Sequence, residues 1–564
     1  MRRIIFPVLE WLRDYRIGTL RNDLSAGLIV AVMLIPQGMA YAMLAGLPPV
    51  MGLYASTLPL IVYAIFGSSR QLAVGPVAMI SLLVFAGVSR LAEPASEQYL
   101  GLVFLLALIV GILQFAMGLL RAGVLINFLS GAVISGFTSA AAIIIILSQI
   151  NQLFGIDSAG GHSASHLIMG ISRQMGNINM VTMAIGLTSV ALIGFLKMKG
   201  SRFPAPLLVV GASIAATWLF HLDRFGVAIV GHVPHGFPSF SIPPMDMESF
   251  RALLPVSLTI LLVGYMESYS IAKWVAVREK YKIDANRELV GLGLANIAAS
   301  LSSSYPVTGG LSRTVVNYEA GAKTGIASIT SALIIFLILM FFTSLFYYLP
   351  KAALAAIVIV AVTGLVDIKE AKRLFRVKHI DGWTMVATFF TTLLLGTEKG
   401  IITGVAFSLF IFVWRSAHPH IAELGYLQKE GIFRNVKRFP EGEIYPDVLI
   451  LRVDASLYFA NMSFLEDMLQ QTMAERKALK WVIMDLSGVN DVDGVAIDTL
   501  ENIMEAYRYR GVEFLFAAMK GPVRDLAAKA GWAEKHAQQM RFNTIHDALN
   551  EIKRLSGTEA DPTL

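Results

Sequence analysis

Ser302-Ser303-Ser304-Tyr305-Pro306-Val307-Thr308-Gly309-Gly310-Leu311-Ser312-Arg313-Thr314 interrupts an apolar stretch where a membrane helix would run unbroken. It reads as a short extended piece with Pro and Gly, then a helix start. Gly67-Ser68-Ser69-Arg70-Gln71-Leu72-Ala73-Val74-Gly75-Pro76-Val77-Ala78-Met79 reads the same way, in the other half of the chain. Irregular backbone at membrane depth is tolerated only where protein buries it or it lines a cavity. A half-helix that begins there points unpaired N–H groups, and about half a positive charge, at that cavity. Two such starts, about seven spans apart, form the pattern of an inverted-repeat transporter with an anion site at the midplane. Two kinked packing helices are the alternative reading.

The flanking sequence is that of a polytopic α-helical membrane protein. The 564 residues are 55% hydrophobic and 15% charged, with a mean hydropathy of +0.63. A soluble globular chain carries about 25% charged residues. A span needs about 20 mainly apolar residues. Fourteen spans are expected: 24–44, 50–66, 74–89, 98–119, 124–149, 178–197, 204–221, 252–274, 286–301, 308–323, 326–348, 351–366, 382–397 and 399–416. With the N-terminus inside, the cytoplasmic loops hold Arg70; Arg121; Lys197, Lys199 and Arg202; Lys273, Arg278, Lys280, Lys282 and Arg287; Lys323; and Lys369, Lys372, Arg373, Arg376 and Lys378. The opposite loops hold only Arg90, Arg173, Arg224, Arg251, Lys351 and Lys399. That asymmetry follows the positive-inside rule and requires an even number of spans, with both termini cytoplasmic.

Charge also divides the chain. Residues 1–436 carry 31 Lys+Arg against 20 Asp+Glu, and the remaining 128 carry 15 against 20. The overall +6 is read as loops facing anionic lipid, not as a nucleic-acid surface. The expected layout is a cytoplasmic N-terminal segment (1–21), a transmembrane transport domain (22–416), a linker (417–436) and a soluble α/β domain (437–564). Residues 1–21 set Arg2, Arg3, Arg13, Arg16 and Arg21 among Trp11, Leu12 and Tyr15, which suits an interfacial helix. The apolar run that follows is too long for a cleavable signal.

Charges at membrane depth are costly, about 2.5–3.5 kcal/mol each on insertion scales, and are functional candidates. Glu267, in Leu261-Leu262-Val263-Gly264-Tyr265-Met266-Glu267, and Arg313 are two such groups. A structural ion pair between them is the alternative to a transport role. Gly131, Ser135, Gly136 and Ser139 read as close-packing positions. The chain has no cysteine, and its ten histidines lack ligand spacing, so no metal site and no cofactor is expected. There is no HExxH, no Gly-x-Ser-x-Gly elbow and no Walker A loop, since Gly321-Ala322-Lys323-Thr324 lacks the preceding glycine. These absences argue against a membrane hydrolase or an ATP-driven pump.

Leu34-Ile35-Pro36-Gln37-Gly38-Met39-Ala40-Tyr41-Ala42, Leu47-Pro48-Pro49-Val50-Met51-Gly52-Leu53-Tyr54, Gly67-Ser68-Ser69-Arg70, Val74-Gly75-Pro76 and Pro306-Val307-Thr308-Gly309-Gly310-Leu311-Ser312-Arg313-Thr314 together resemble the SulP family of sulfate permeases and anion exchangers. The resemblance implies fourteen helices in two inverted seven-helix repeats, split into core and gate domains, usually as a homodimer. It implies an anion held between the half-helices of spans three and ten. Carried over, the substrate-binding residues are Gln37 and Tyr41, Val77 and Ala78, and Gly310, Leu311, Ser312 and Arg313. Relatives often have Ser where Gly310 stands, which leaves the backbone N–H as the donor there. Glu267 matches an acidic position of proton-coupled members. A carboxyl at that place can carry a proton while a dianion is bound nearby and release it to the cytoplasm. The expected function is therefore sulfate:H⁺ symport into the cytoplasm across the cell's cytoplasmic membrane. A bicarbonate or dicarboxylate carrier, or an anion exchanger, is the alternative on the same scaffold.

Strands at 448–453, 481–486 and 512–517 alternate with helices at 461–478, 494–510, 521–531 and 544–555. This region resembles the STAS domain that follows the membrane region in SulP proteins. Signalling relatives carry a phosphorylatable Ser or Thr before the second helix. Gly494 and Val495 stand in the corresponding segment and cannot accept phosphate.

Overall fold

The computed structural model describes residues 15–124, 130–157, 163–199 and 204–556. The chain divides into two compact units, Met1–Ser408 and Leu409–Leu564. The first is built from α1 (Ile17–Leu44), α2 (Val50–Tyr54), α3 (Leu58–Phe66), β1 (Val74–Gly75), α4 (Ala78–Val88), α5 (Glu97–Leu119), α6 (Gly131–Phe154), α7 (Ala164–Gln174), α8 (Met180–Met198), α9 (Ala205–Phe220), α10 (Met247–Arg278), α11 (Ala285–Leu301), β2 (Thr308–Gly309), α12 (Leu311–Glu319), α13 (Ile326–Phe341), α14 (Lys351–Val362), α15 (Ile368–Val377), α16 (His379–Leu395) and α17 (Thr397–Ala417), the last of which runs into the second unit.

Among the described residues, fourteen helical segments lie where the spans were expected, α2 and α3 forming one broken span. Among the described residues, seven helical stretches are long and apolar enough to cross a membrane, one of them running from Lys351 through α14 and α15 to Val377. Others are short for a physical reason. In the second span Thr57 leaves the helical region at φ −115° and ψ −97°, its hydroxyl donates to the Tyr54 carbonyl at 2.7 Å, and Pro59 starts α3. The span expected at 308–323 is helical only from Leu311 to Glu319, because residues 308–309 are extended. The span expected from 124 begins as helix at Gly131, and residues 125–129 lie outside the described ones. Two helices appear between spans, α7 and α15. The second lies in a stretch whose sequence reads as a basic loop. Asp367 caps it through the Glu370 N–H at 2.9 Å. Arg373, hydrogen-bonded to Glu370 at 2.7 and 2.5 Å, holds that carboxyl below its ordinary range.

The third and tenth spans meet as antiparallel strands, Val74 opposite Gly309 and Gly75 opposite Thr308. Backbone without a helix must find partners here, and buried side chains supply them. Gly309 N–H donates to Ser268 Oγ at 2.8 Å, and Thr308 Oγ1 to the Gly264 carbonyl at 2.6 Å. Asn296 takes the Val307 N–H at 2.7 Å and donates to the Val307 carbonyl at 3.1 Å. Thr314 Oγ1 accepts from Ala73 N–H at 3.0 Å. The loop entering β1 is pinned by the buried Glu288 carboxylate, which accepts from Tyr63, from Ser68 Oγ at 2.6 Å and from Ser68 N–H at 3.2 Å. Close approach of α1 and α2 needs glycine at both Gly38 and Gly52, since a Cβ on Gly52 would sit 1.8 Å from the Gly38 carbonyl oxygen.

The second unit contains β3 (Ile421–Leu427), β4 (Ile432–Asn435), β5 (Val448–Val453), α18 (Phe459–Glu475), β6 (Trp481–Asp485), α19 (Gly494–Arg508), β7 (Glu513–Ala517), α20 (Gly521–Lys529), α21 (Trp532–Lys535) and α22 (Ile545–Ser556). The sheet order is β4-β3-β5-β6-β7, with β5, β6 and β7 parallel and β3 antiparallel to β5. Leu449, Leu451 and Val482 face one apolar layer, and Val448, Ile450 and Ile483 face another, so both sheet faces are covered. Residues 417–436 are not the expected linker: they hold the β3–β4 hairpin, which is the sheet's edge. Asp493 caps α19 through the Ala496 N–H at 2.7 Å, leaving Gly494 and Val495 as its first residues.

Candidate functional site

A cavity of about 270 Å³ opens in the first unit where α1, the β1–α4 start, α10 and the β2–α12 start converge. Gln37, Tyr41, Val77, Ala78, Glu267, Gly310, Leu311, Ser312 and Arg313 all line it. Gln37 and Tyr41 stand one turn apart on α1 and so share a face. Val77 and Gly310 are the extended residues before α4 and α12, and among the described residues neither helix start has a side-chain cap; the Gly310 N–H, expected as an anion donor, instead donates to the Ala73 carbonyl at 3.1 Å, where the strand pairing takes it up. The first intrahelical bonds are Ser81 N–H to the Val77 carbonyl and Thr314 N–H to the Gly310 carbonyl, both at 3.0 Å. The N–H groups before them have no acceptor within their own helix. Leu311 is 49% exposed at this mouth.

Arg313 is 2% exposed. One terminal guanidinium nitrogen donates to the Pro76 carbonyl, and Nε and Nη2 have no hydrogen-bond partner among the described residues. A buried cation with unused donors is an unsatisfied group, which an oxyanion would satisfy. Gly310 makes the arrangement possible, because a Cβ there would stand 2.8 Å from Nη2 and 3.0 Å from Cζ of Arg313. Glu267 reaches the same cavity from α10, half-buried. No hydrogen bond or ion pair joins it to Arg313 among the described residues.

Two hydroxyls were missed in the sequence. Ser270 follows Glu267 by three residues on α10, a spacing that could have flagged it. Thr138 of α6 carried no signal, since it reaches the cavity by tertiary packing, beside Phe137, Val362, Leu365 and Ile401.

Residues 20–388 match the sulfate permease family, and residues 439–548 match the STAS domain. The chain is 41% identical to sulfate transporter 4.1, chloroplastic, of Arabidopsis thaliana, over 97% of this chain and 82% of that protein. It is 33% identical to high affinity sulfate transporter 2 of Stylosanthes hamata, over 97% and 86%. The murine solute carrier 26 family member A9 anion transporter, solved in an inward-facing state, superposes with a TM-score of 0.90 at 25% identity, covering 98% of this chain and 94% of that one. The transmembrane domain of the cyanobacterial bicarbonate transporter BicA shares the fold, with a TM-score of 0.61 at 22% identity over 69% and 98%. The chain is a multi-pass membrane transporter of two inverted seven-span repeats followed by an α/β STAS domain, and it belongs to the sulfate permease family.

Proposed function

We propose that the protein is a secondary active transporter that moves sulfate together with a proton into the cytoplasm by alternating access. The observation that carries this reading is the Arg313 guanidinium, buried at paired helix starts with two nitrogens unpartnered, in one cavity with Glu267. Each helix start contributes about half a positive charge. With Arg313, the cavity holds about two positive charges when Glu267 is protonated and about one when it is ionised. The first balance suits a dianion, and the second favours its release. Gln37, Tyr41, Ser270 and Thr138 offer polar groups around the guest, with the N–H groups of Ala78 and Leu311 at its two ends. Relatives named as sulfate transporters support the choice of anion. Basic residues concentrated in alternate loops support cytoplasmic termini in the cytoplasmic membrane.

The test is uptake of radiolabelled sulfate by the full chain in proteoliposomes, with and without an inward proton gradient, in competition with bicarbonate and a dicarboxylate. The gradient should drive sulfate above equilibrium, and unlabelled sulfate should compete best. Uptake indifferent to the gradient, or competition led by bicarbonate, would sink the reading.

A further inference from the structure

A second cavity, of about 250 Å³, lies in the same unit and shares no lining residue with the first. It is bounded by the chain at the start of α1, the loop entering β1, the turn after α10 and the turn before α13. Its frame is fixed by buried and part-buried hydrogen bonds. Asp23, fully buried, accepts from Lys323 N–H at 2.6 Å, Thr324 N–H at 3.1 Å, Thr324 Oγ1 at 2.6 Å and the Tyr15 hydroxyl at 3.2 Å. Tyr281 donates to Gln71 Oε1 at 2.8 Å and accepts from Arg70 N–H at 3.3 Å.

The charges inside this frame are not all matched in pairs. Lys323 Nζ lies 3.1 Å from both Glu279 oxygens, so that pair cancels. The Arg70 guanidinium lies over the Tyr281 ring, 5.2 Å from its centroid, and no carboxylate pairs with it among the described residues. Asp23 and Glu279 offset the two cations in sum, but Asp23 is taken up by its own donors, so the Arg70 guanidinium has no carboxylate of its own, and its fork of N–H groups shares one polar cavity with the Thr19 hydroxyl. We propose that this cavity binds a tetrahedral oxyanion of the sulfate or phosphate type, free or on a lipid headgroup, as a second site apart from the central cavity. Its position gives it a lever, because Arg70 belongs to the loop that leads into β1 and the α4 start. An anion bridging Arg70 to Thr19 ties that loop to the foot of α1.

Calorimetric titration of the full chain in phosphatidylcholine nanodiscs with inorganic phosphate tests this, in an Arg313→Ala background that disables the central cavity. One phosphate should bind per chain, and Arg70→Gln should weaken it about tenfold or more. Because Arg70 also stacks on Tyr281, Thr19→Asp serves as a second variant. It spares the stacking, sets a carboxylate in the cavity, and should abolish binding at an unchanged melting temperature. Absence of saturable binding in the Arg313→Ala protein, or binding untouched by both variants, overturns the proposal. Phosphatidic acid added to the nanodisc separates the sources. Competition with phosphate assigns the site to a lipid headgroup, and indifference assigns it to the free ion. Since Arg313 is absent from these measurements, a failure of the symport reading leaves their outcome unchanged.

Discussion

A guanidinium folded over the start of its own helix sits against like charge, for the N-terminus of α12 already carries about half a positive charge. That adverse placement is held by the Pro76 carbonyl and by the empty space above Gly310. Gly310→Ser should therefore act through Arg313. Its Cβ displaces the guanidinium, and sulfate affinity should fall several-fold, less than the roughly 10- to 100-fold expected for Arg313→Ala from a lost charged hydrogen bond. The decisive measurement is the double-mutant cycle, in which Gly310→Ser should do nothing further once Arg313 is gone. Equal losses in both backgrounds would mean that residue 310 contacts the anion itself. Glu267→Gln separates binding from coupling, as it keeps the shape and a polar head but cannot exchange a proton. Sulfate should still bind and exchange, while accumulation driven by a pH gradient disappears. Gradient-driven accumulation that survives in this variant would remove Glu267 from the coupling role.

The elements around the cavity are held less by apolar packing than by side chains that complete a broken backbone. Asn296 of α11 satisfies both the N–H and the C=O of Val307 and also donates to Gln114 at 2.9 Å. Asn296→Leu orphans those buried groups together, and at about 1–3 kcal/mol for an unsatisfied group the loss should reach about 2–4 kcal/mol. Thermal unfolding in detergent should show a clear drop in melting temperature, and sulfate should protect the variant less than the wild type. This dependence also explains what the sequence disclosed. The interrupted segments at 67–79 and 302–314 were visible because Gly and Pro are conspicuous in an apolar run. Their partners were not, because Ser268, Asn296 and Glu288 look like ordinary polar residues until the strands arrive beside them. The α15 helix was hidden for a different reason: its lysines and arginines read equally well as a basic loop, and only the Asp367 cap distinguishes the two. The β3–β4 hairpin fell within an expected linker because its strands, of seven and four residues, are joined by a turn ending at Gly431 and offer no long alternation to mark them.

For the whole molecule, what matters is the charge moved in each cycle. Among the described residues lining the central cavity, Glu267 is the one carboxylic acid. One proton carried with a dianion leaves a net negative charge to be brought inward. Such a cycle is opposed by an inside-negative potential at about 2.3 kcal/mol per 100 mV. About 60 mV then costs about 1.4 kcal/mol, which is a factor of ten in the sulfate ratio at steady state. The same cycle gains one proton's worth from a pH gradient, so each unit should also change that ratio about tenfold. Proteoliposomes clamped with potassium and valinomycin can vary the two forces independently. Steady-state accumulation should fall about tenfold for each 60 mV made negative inside, and rise about tenfold for each unit of acid outside. Two protons per sulfate would give a different pair of slopes, flat against potential and about a hundredfold per pH unit. That result would require a second proton-carrying group beyond Glu267, and Glu288, buried behind the loop that enters β1, would be the next carboxylate to replace.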